Sequence, residues 1–489
     1  MAVLAMNRWE SETSSTSAGR GGMECPIPCG NWVGGSRPAR IRGIIWNEWE
    51  KTMADKKQTF SRRKFLAGSA SAAAGSLLGI MVVPNTVFAA PNRPAPSDQL
   101  LFGNIGVGGR GMGFVRPGTS IALCDVDERR LAEAVKRVGG NPRLYKDYRE
   151  LLEQKDIDAV FVTSPDHWHA LMTIHACEAG KDVYVEKPAC NTIEEGQAMV
   201  RAARRYARVV QVGSQGRSQE GAYYGCRYIR NGQLGRVHTV ACWHYENPKG
   251  DWTPNRRPPE YLDYDRWVGP NRMIPYNPTR THGAFRWMLD YGGGQIRDRG
   301  AHVMSVALWC MDADNTGPVT IEATSGNPQF EGLYDVPQNL TIVYEFKNPD
   351  WTLVWAQPGE GYKDPKFKWP RESYGARYIG DKDNLIITYG DTAETDTEEK
   401  AKKYEPPADG VQVFHSPGHR ENFEDCIRSR EKPIMDIQAG YKVAILCILG
   451  NLSYILGRKL EWDPVHEVVK NDDEANRLLS RPGRGEFHI

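Results

Sequence analysis

From about residue 100 the chain alternates short apolar runs with stretches of helical period. Residues 100–105, 121–124, 159–163, 183–185 and 209–212 are apolar or β-branched and predict strands. Between them, Leu131, Val135 and Val138 mark one face of a helix, and further helices are predicted over 171–179 and 194–206. Gly180 is placed to end the first of these. Strand–helix alternation of this kind predicts a doubly wound parallel sheet. Gly103 and Asn104 interrupt the first strand, where a central parallel strand is normally apolar. Past Gln215 the pattern changes. A helix running to Asn231 is followed by predicted strands at 237–243, 319–324, 339–346, 352–356 and 384–388, with helices after His419 and over 441–456. The last helix is buried by its pattern and short for a bilayer span.

Before residue 90 no fold pattern is visible. Ser61-Arg62-Arg63-Lys64-Phe65-Leu66 reads as a twin-arginine signal, followed by a weakly apolar Ala/Gly/Ser segment ending Val87-Phe88-Ala89. The competing reading is a chance Arg pair before a membrane helix, which the small residues and Pro84 disfavour. Cleavage after Ala89 leaves no stable membrane span and a periplasmic product, with the twin-arginine translocase as a transient partner. The organisation expected is a non-native or disordered extension at 1–52 with translation starting at Met53, then a signal at 53–89. A nucleotide domain at 98–216, a substrate domain at 217–462 and a tail at 463–489 complete it.

The 489 residues are 40% hydrophobic and 25% charged with a formal charge of +1, which fits a globular protein and argues against a nucleic-acid partner. The ten cysteines are scattered without zinc spacing, so they are read as small buried hydrophobes and no metal site is expected.

Gly106-Val107-Gly108-Gly109-Arg110-Gly111 follows the first predicted strand and matches Gly-x-Gly-x-x-Gly. In a dinucleotide fold Gly106 permits the tight turn, Gly108 lets the backbone approach a pyrophosphate, and Gly111 lets the next helix pack closely. That helix's N-terminus then faces the phosphates. Asp125 ends the second strand, where a carboxylate holds a ribose 2′-hydroxyl and repels a 2′-phosphate. The cofactor expected is therefore NAD in preference to NADP.

Together with this motif, TSPDHWHALMTIHACEAGKDVYVEKP from Thr163 to Pro188 resembles the Gfo/Idh/MocA oxidoreductases, on Glu186-Lys187-Pro188 and the Pro165…His169 spacing. The resemblance implies an α/β chain, a Rossmann domain followed by an α/β domain with a large, open, mostly antiparallel sheet that often forms a dimer or tetramer contact. It implies that Lys187 sits beside the nicotinamide and the substrate hydroxyl, and that Pro188 fixes a turn, often through a cis bond. Implied cofactor contacts are Gly109, Arg110, Pro165, His169, Glu186 and Lys187, beside Gly106, Gly108, Gly111 and Asp125. Asp298 and His302 match the family's Asp-x-x-x-His element. His302 is the implied general base, and Asp298 orients it or binds a neighbouring hydroxyl. On the residues alone, Asp298 equally reads as a helix N-cap, His302 as a core histidine and Lys187 as a surface partner of Glu186. Further candidate substrate contacts are Arg217, Tyr245 and Arg286, with His282 and His419 behind them. Eight of the fourteen tryptophans fall between Trp243 and Trp369, a composition suited to sugars or to ordinary packing.

The leading expectation is an exported, NAD-dependent oxidoreductase acting on a secondary hydroxyl of a sugar, glycoside or polyol. Outside the cytoplasm there is no ready pool of free NAD, so the cofactor is expected to stay tightly bound and to be restored in each turnover. One alternative is a redox-neutral glycosidase working through transient oxidation and elimination. Another is a catalytically silent sugar-binding module of the same fold.

Overall fold

The apolar runs that open the folded chain pair edge to edge. A computed structural model describes residues 98–328, 332–357, 374–389 and 396–489. The expected leader (1–89) and Trp369 lie outside the described residues. Strands β1 (Phe102–Ile105), β2 (Ser120–Cys124), β3 (Arg143–Tyr145), β4 (Ala159–Val162), β5 (Asp182–Val185) and β6 (Val210–Val212) form a wholly parallel sheet in the order β3-β2-β1-β4-β5-β6. Every residue of β1, β4 and β5 is buried. The order reverses between β1 and β4, and a crevice for ligand opens at the carboxyl ends of strands at such a point.

The irregular first strand has a packing cause. A Cβ on Gly103 would lie 2.6 Å from Leu151 Cδ2, so glycine is what lets the helix Tyr148–Leu152 approach β1. The register with β2 also slips between Phe102 and Gly103. The Asn104 side chain is buried and its amide finds no partner among the described residues.

The second sheet holds β7 (Val237–Trp243), β8 (Thr320–Gly326), β9 (Leu340–Phe346), β10 (Trp351–Ala356), β11 (Gly375–Gly380), β12 (Asn384–Thr388), β13 (Leu460–Asp463) and β14 (Val468–Val469). Its order is β12-β11-β7-β10-β9-β8-β13-β14, antiparallel except for the parallel β7–β10 pair. The fold class is therefore the expected one, a doubly wound parallel sheet followed by a large, mostly antiparallel one. The expected tail at 463–489 is instead built into the domain: it contributes β14 and the helix Asp473–Arg477.

The helix Ile437–Leu456 joins the two sheets. Asp436 caps it by accepting from Gln438 N, and Gly457 at φ 64° closes it. Its glycines allow the contact on both sides: a Cβ on Gly440 would lie 2.3 Å from Val212 on β6, and one on Gly450 would lie 2.4 Å from Tyr344 Oη on β9. By length and composition it could cross a membrane, but 83% of its apolar window is buried in this fold.

Candidate active site

The glycine-rich turn follows β1 at the mouth of the crevice. Gly106 has φ +81°, and a Cβ there would lie 2.6 Å from Ser164 N. A Cβ on Gly111 would lie 1.9 Å from Gly106 O, so the turn closes on itself only with glycine at both positions. Gly109 is open, with nothing within 4 Å of such a Cβ. The expected helix after the turn does not form. Gly111–Gly113 is a single 3₁₀ turn, and Pro117 and Gly118 follow before β2 begins. There is no long helix dipole to meet phosphates. The charge near the turn comes from side chains instead: the Arg130 guanidinium lies where a Gly108 Cβ would be, and Arg110 flanks the same groove.

Asp125 stands at the end of β2 as expected. Its carboxylate accepts from Val107 N at 2.9 Å and from Asp127 N at 2.9 Å, tying the glycine turn to the second strand. Burial raises its pKa, opposed by the bond from Asp127. A carboxylate has about four acceptor sites, so these two bonds leave capacity for a ribose hydroxyl.

A groove with ≈ 1050 Å³ of empty space, solvent included, runs from the glycine turn past Asp125, Tyr148, Pro165, Trp168 and Phe285 to Arg286. The cradle that a Cβ would fill at Gly106 and Gly111, the acid at the end of β2 and the length of the groove fit an extended dinucleotide.

The carboxyl end of β5 delivers Glu186 and Lys187, and the Lys187–Pro188 peptide is cis. The two side chains go different ways. Glu186 accepts from Arg110 Nε at 2.8 Å and from Gln215 Nε2 at 3.0 Å, latching the glycine turn to β5. Lys187 does not pair with Glu186 at the surface. Its side chain is 10% exposed and its Nζ donates to the carboxylate of Asp298 and, at 2.6 Å, to the Asp298 carbonyl. The same carboxylate accepts from Arg286 Nε at 3.1 Å and lies 3.4 Å from Arg299 Nε. Burial alone would raise the Asp298 pKa; Lys187 first, then Arg286 and Arg299, outweigh it and hold the group ionised well below the carboxylate range.

Asp298 and His302 do not share one continuous helix. Asp298 ends the turn Gln295–Asp298, Arg299 interrupts, and His302 lies in Gly300–Cys310. Asp298 neither caps this helix nor hydrogen-bonds His302; its carboxylate is committed to the three cations. The His302 ring is buried, its centroid 4.7 Å from that of Tyr389, and its Nδ1 has no partner among the described residues. Burial first, then the charge of Lys187, pushes its pKa well below the histidine norm, so the imidazole is neutral.

The structure redistributes the other candidates. Arg286 and Pro165 line the groove, as does His282, whose Nε2 is 3.4 Å from Asp127. His169 has both ring nitrogens against backbone carbonyls, Pro188 O at 2.8 Å and Ser164 O at 2.9 Å. It braces the turn after β5 and has no nitrogen left for cofactor. Arg217 is not a substrate contact: it is fully buried, donating to Ser305 O at 2.7 Å and to both oxygens of Asp314. His419 is likewise internal, bonded to Val212 O and Ser218 Oγ. Tyr245 is 40% exposed, whereas its neighbour His244 is 4% exposed, with its ring 4.9 Å from Tyr374. Burial lowers the His244 pKa to about 4, with Arg299, Asp298 and Lys187 close enough to contribute. Of the tryptophans expected near sugar, Trp243, Trp267, Trp309, Trp351 and Trp355 are buried core. Among the described residues eight cysteines are buried and free. Among the described residues no group of three or more His, Cys, Asp or Glu is placed to hold a metal ion.

Residues 105–214 match the oxidoreductase family with the NAD-binding Rossmann fold, and residues 237–347 and 408–489 match that family's C-terminal α/β domain. The chain belongs to the Gfo/Idh/MocA oxidoreductase family, and its cofactor is NAD. A glycosyl hydrolase family 109 protein from Shewanella pealeana is 35% identical over 170 residues, a match spanning 30% of this chain and 37% of that protein. The WlbA dehydrogenase of Bordetella pertussis, solved with NADH and UDP-GlcNAcA, superposes with a TM-score of 0.53 at 17% identity, covering 75% of this chain and 99% of that one. A levoglucosan dehydrogenase solved with NADH gives 0.51 at 19% identity, covering 74% and 98%. Both likenesses are of fold.

Proposed function

We propose that this protein is exported by the twin-arginine route and moves a hydride between a secondary hydroxyl of a sugar or glycoside and a tightly held NAD. The observation that carries the reading is the Lys187 ammonium, buried and aimed by Asp298 at the carboxyl edge of the parallel sheet. Bound NAD supplies the hydride acceptor at its nicotinamide ring. The chain's residues do the rest. Asp298 and Arg286 fix the position of Lys187, whose remaining N–H hydrogen-bonds the substrate oxygen and stabilises developing alkoxide. The neutral imidazole of His302 accepts the hydroxyl proton as the C–H bond breaks, so the carbinol carbon gives up hydride and its oxygen gives up the proton. Burial excludes water from both transfers.

A second reading shares this step, and the relatives named as family 109 glycosyl hydrolases favour it. The ketone formed on the sugar acidifies the neighbouring C–H. That proton and the glycosidic leaving group depart, water adds, and the hydride returns. The net reaction is hydrolysis with the cofactor restored, which suits a compartment without free NAD. Homo-oligomerisation through the second sheet belongs to the same proposal.

The test uses the exported protein. Mass spectrometry of nucleotide released from it is expected to find NAD, and Lys187→Met is expected to keep NAD while losing at least about 100-fold in turnover on an aryl glycoside or free sugar. Cleavage without net change in nicotinamide absorbance selects the second reading; net reduction selects the first. Undiminished turnover in Lys187→Met removes both.

A further inference from the structure

One wall of the groove, on the side of β2 and β3, comes from far along the chain. Phe487 lines it beside Tyr148, Arg149 and Trp168, and packs edge-on against Trp168 with ring centroids 5.1 Å apart. The segment carrying it is fastened at three places. Arg481 donates to Glu195 Oε1 at 2.8 Å and to His167 O at 2.9 Å. Arg484 donates to Gly269 O at 2.7 Å and to Asp265 Oδ1 at 2.8 Å. Glu486 accepts from Arg149 Nη1 at 3.0 Å. These partners belong to the helix Ile193–Arg205, the 3₁₀ turn Asp166–Trp168, the helix Tyr264–Val268 with Gly269 at its end, and the helix Tyr148–Leu152, and the last three elements also line the groove.

The fastenings are unequal. The side chains of Arg481 and Glu195 are 19% and 8% exposed, whereas those of Arg149 and Glu486 are 38% and 61% exposed. An exposed pair is weak and screened by salt. Between the two anchors lies Gly485, at φ +57° with no neighbour where a Cβ would stand. Phe487 is nevertheless tied back across this turn: Arg484 N donates to Phe487 O at 3.3 Å and Phe487 N donates to Arg484 O at 3.0 Å, so the ring is held by the Arg484 anchor while only the Glu486 side chain is lightly held.

We propose that residues 481–487 are a fixed strap over the adenosine half of the dinucleotide site and that Phe487 forms part of the apolar lining the adenosine meets. The inference rests on reading the groove as the NAD site. It adds a reason for slow cofactor loss that the glycine turn, lacking its long helix, does not provide.

NAD affinity is measured by isothermal titration on nucleotide-stripped protein, and dissociation by chasing loaded protein with excess labelled NAD. Parent, Phe487→Ala, Phe487→Leu and Glu486→Gln are compared. Phe487→Ala is expected to weaken affinity about tenfold, as loss of apolar ring burial implies, and Phe487→Leu to recover most of it. Glu486→Gln, which removes only an exposed ion pair, is expected to leave affinity and dissociation within about twofold of the parent. The NAD-induced rise in melting temperature is expected to shrink in Phe487→Ala. Equal affinity and an equal NAD-induced rise in parent and Phe487→Ala overturn the strap, even where the apo-protein melts lower, because packing alone shifts both melts together. A parent that binds no NAD overturns the reading of the groove itself, and the strap with it.

Discussion

At the residue scale the site is organised by one carboxylate. Asp298 collects Lys187, Arg286 and Arg299, and its own ionisation is held in place by them. Its role is positioning: it aims Lys187 rather than His302. Removing the charge leaves two largely buried cations without a counter-ion, and breaking a buried pair from one side typically costs 3–5 kcal/mol. Asp298→Asn keeps an oxygen to accept from Lys187, so the expected loss is at the low end, about 3 kcal/mol by chemical denaturation. Turnover is expected to fall further than NAD affinity, because Lys187 loses its aim while the groove keeps its lining. An Asp298→Asn variant as stable as the parent contradicts the three-cation account. The sequence named Lys187, Asp298 and His302 through motif spacing, but not that the aspartate serves the lysine. That depends on a break at Arg299, and no residue type there announces one.

At the scale of elements, the strands buried on both faces were the easiest to read. β1, β2, β4, β5 and β6 appear within two residues of their apolar runs at either end. The elements that escaped lack that signal. β3 is a three-residue edge with Leu144 half exposed, β11 is bounded by glycines at both ends, and β13 buries only Leu460 and Trp462 in a four-residue stretch. The missing helix after the glycine turn was over-read from the motif, since Pro117 and Gly118 leave no room for one. The turn must therefore hold its shape by close contact. Gly111→Ala puts a methyl 1.9 Å from Gly106 O, and the carbonyl cannot give way without opening the turn. NAD affinity is expected to fall by more than about tenfold, with a smaller loss in apo stability, checked by titration and thermal melting. Gly113→Ala, outside the groove lining and with nothing within 4 Å of the added methyl, is the matched control expected to stay near the parent.

At the scale of the whole molecule, the fold closes around several uncharged histidines, and that sets its response to acid. Burial, the largest cause in each case, lowers His167 to about 3 and His244, His282 and His419 to about 4. An unfolded histidine takes its proton near pH 6.5. Between about 6.5 and about 4 the unfolded chain therefore binds protons that the folded one refuses, and the linkage relation gives falling stability as pH falls across that window. Two buried carboxyls act the other way: burial raises Asp125 and Asp166, so the folded chain keeps protons there that the unfolded chain releases. The four histidines outnumber them. The net expectation is a melting temperature that is level near pH 7, declines steadily towards pH 4 and goes on falling below it, where the unfolded Asp298 takes a proton that the folded one refuses. Melts at fixed ionic strength check the slope, and a melting temperature that holds or rises between pH 6.5 and 4 shows that these imidazoles are charged in the folded state. The same burial holds His302 below the ordinary histidine range, so the acid limb of activity is expected to lie below an ordinary histidine titration.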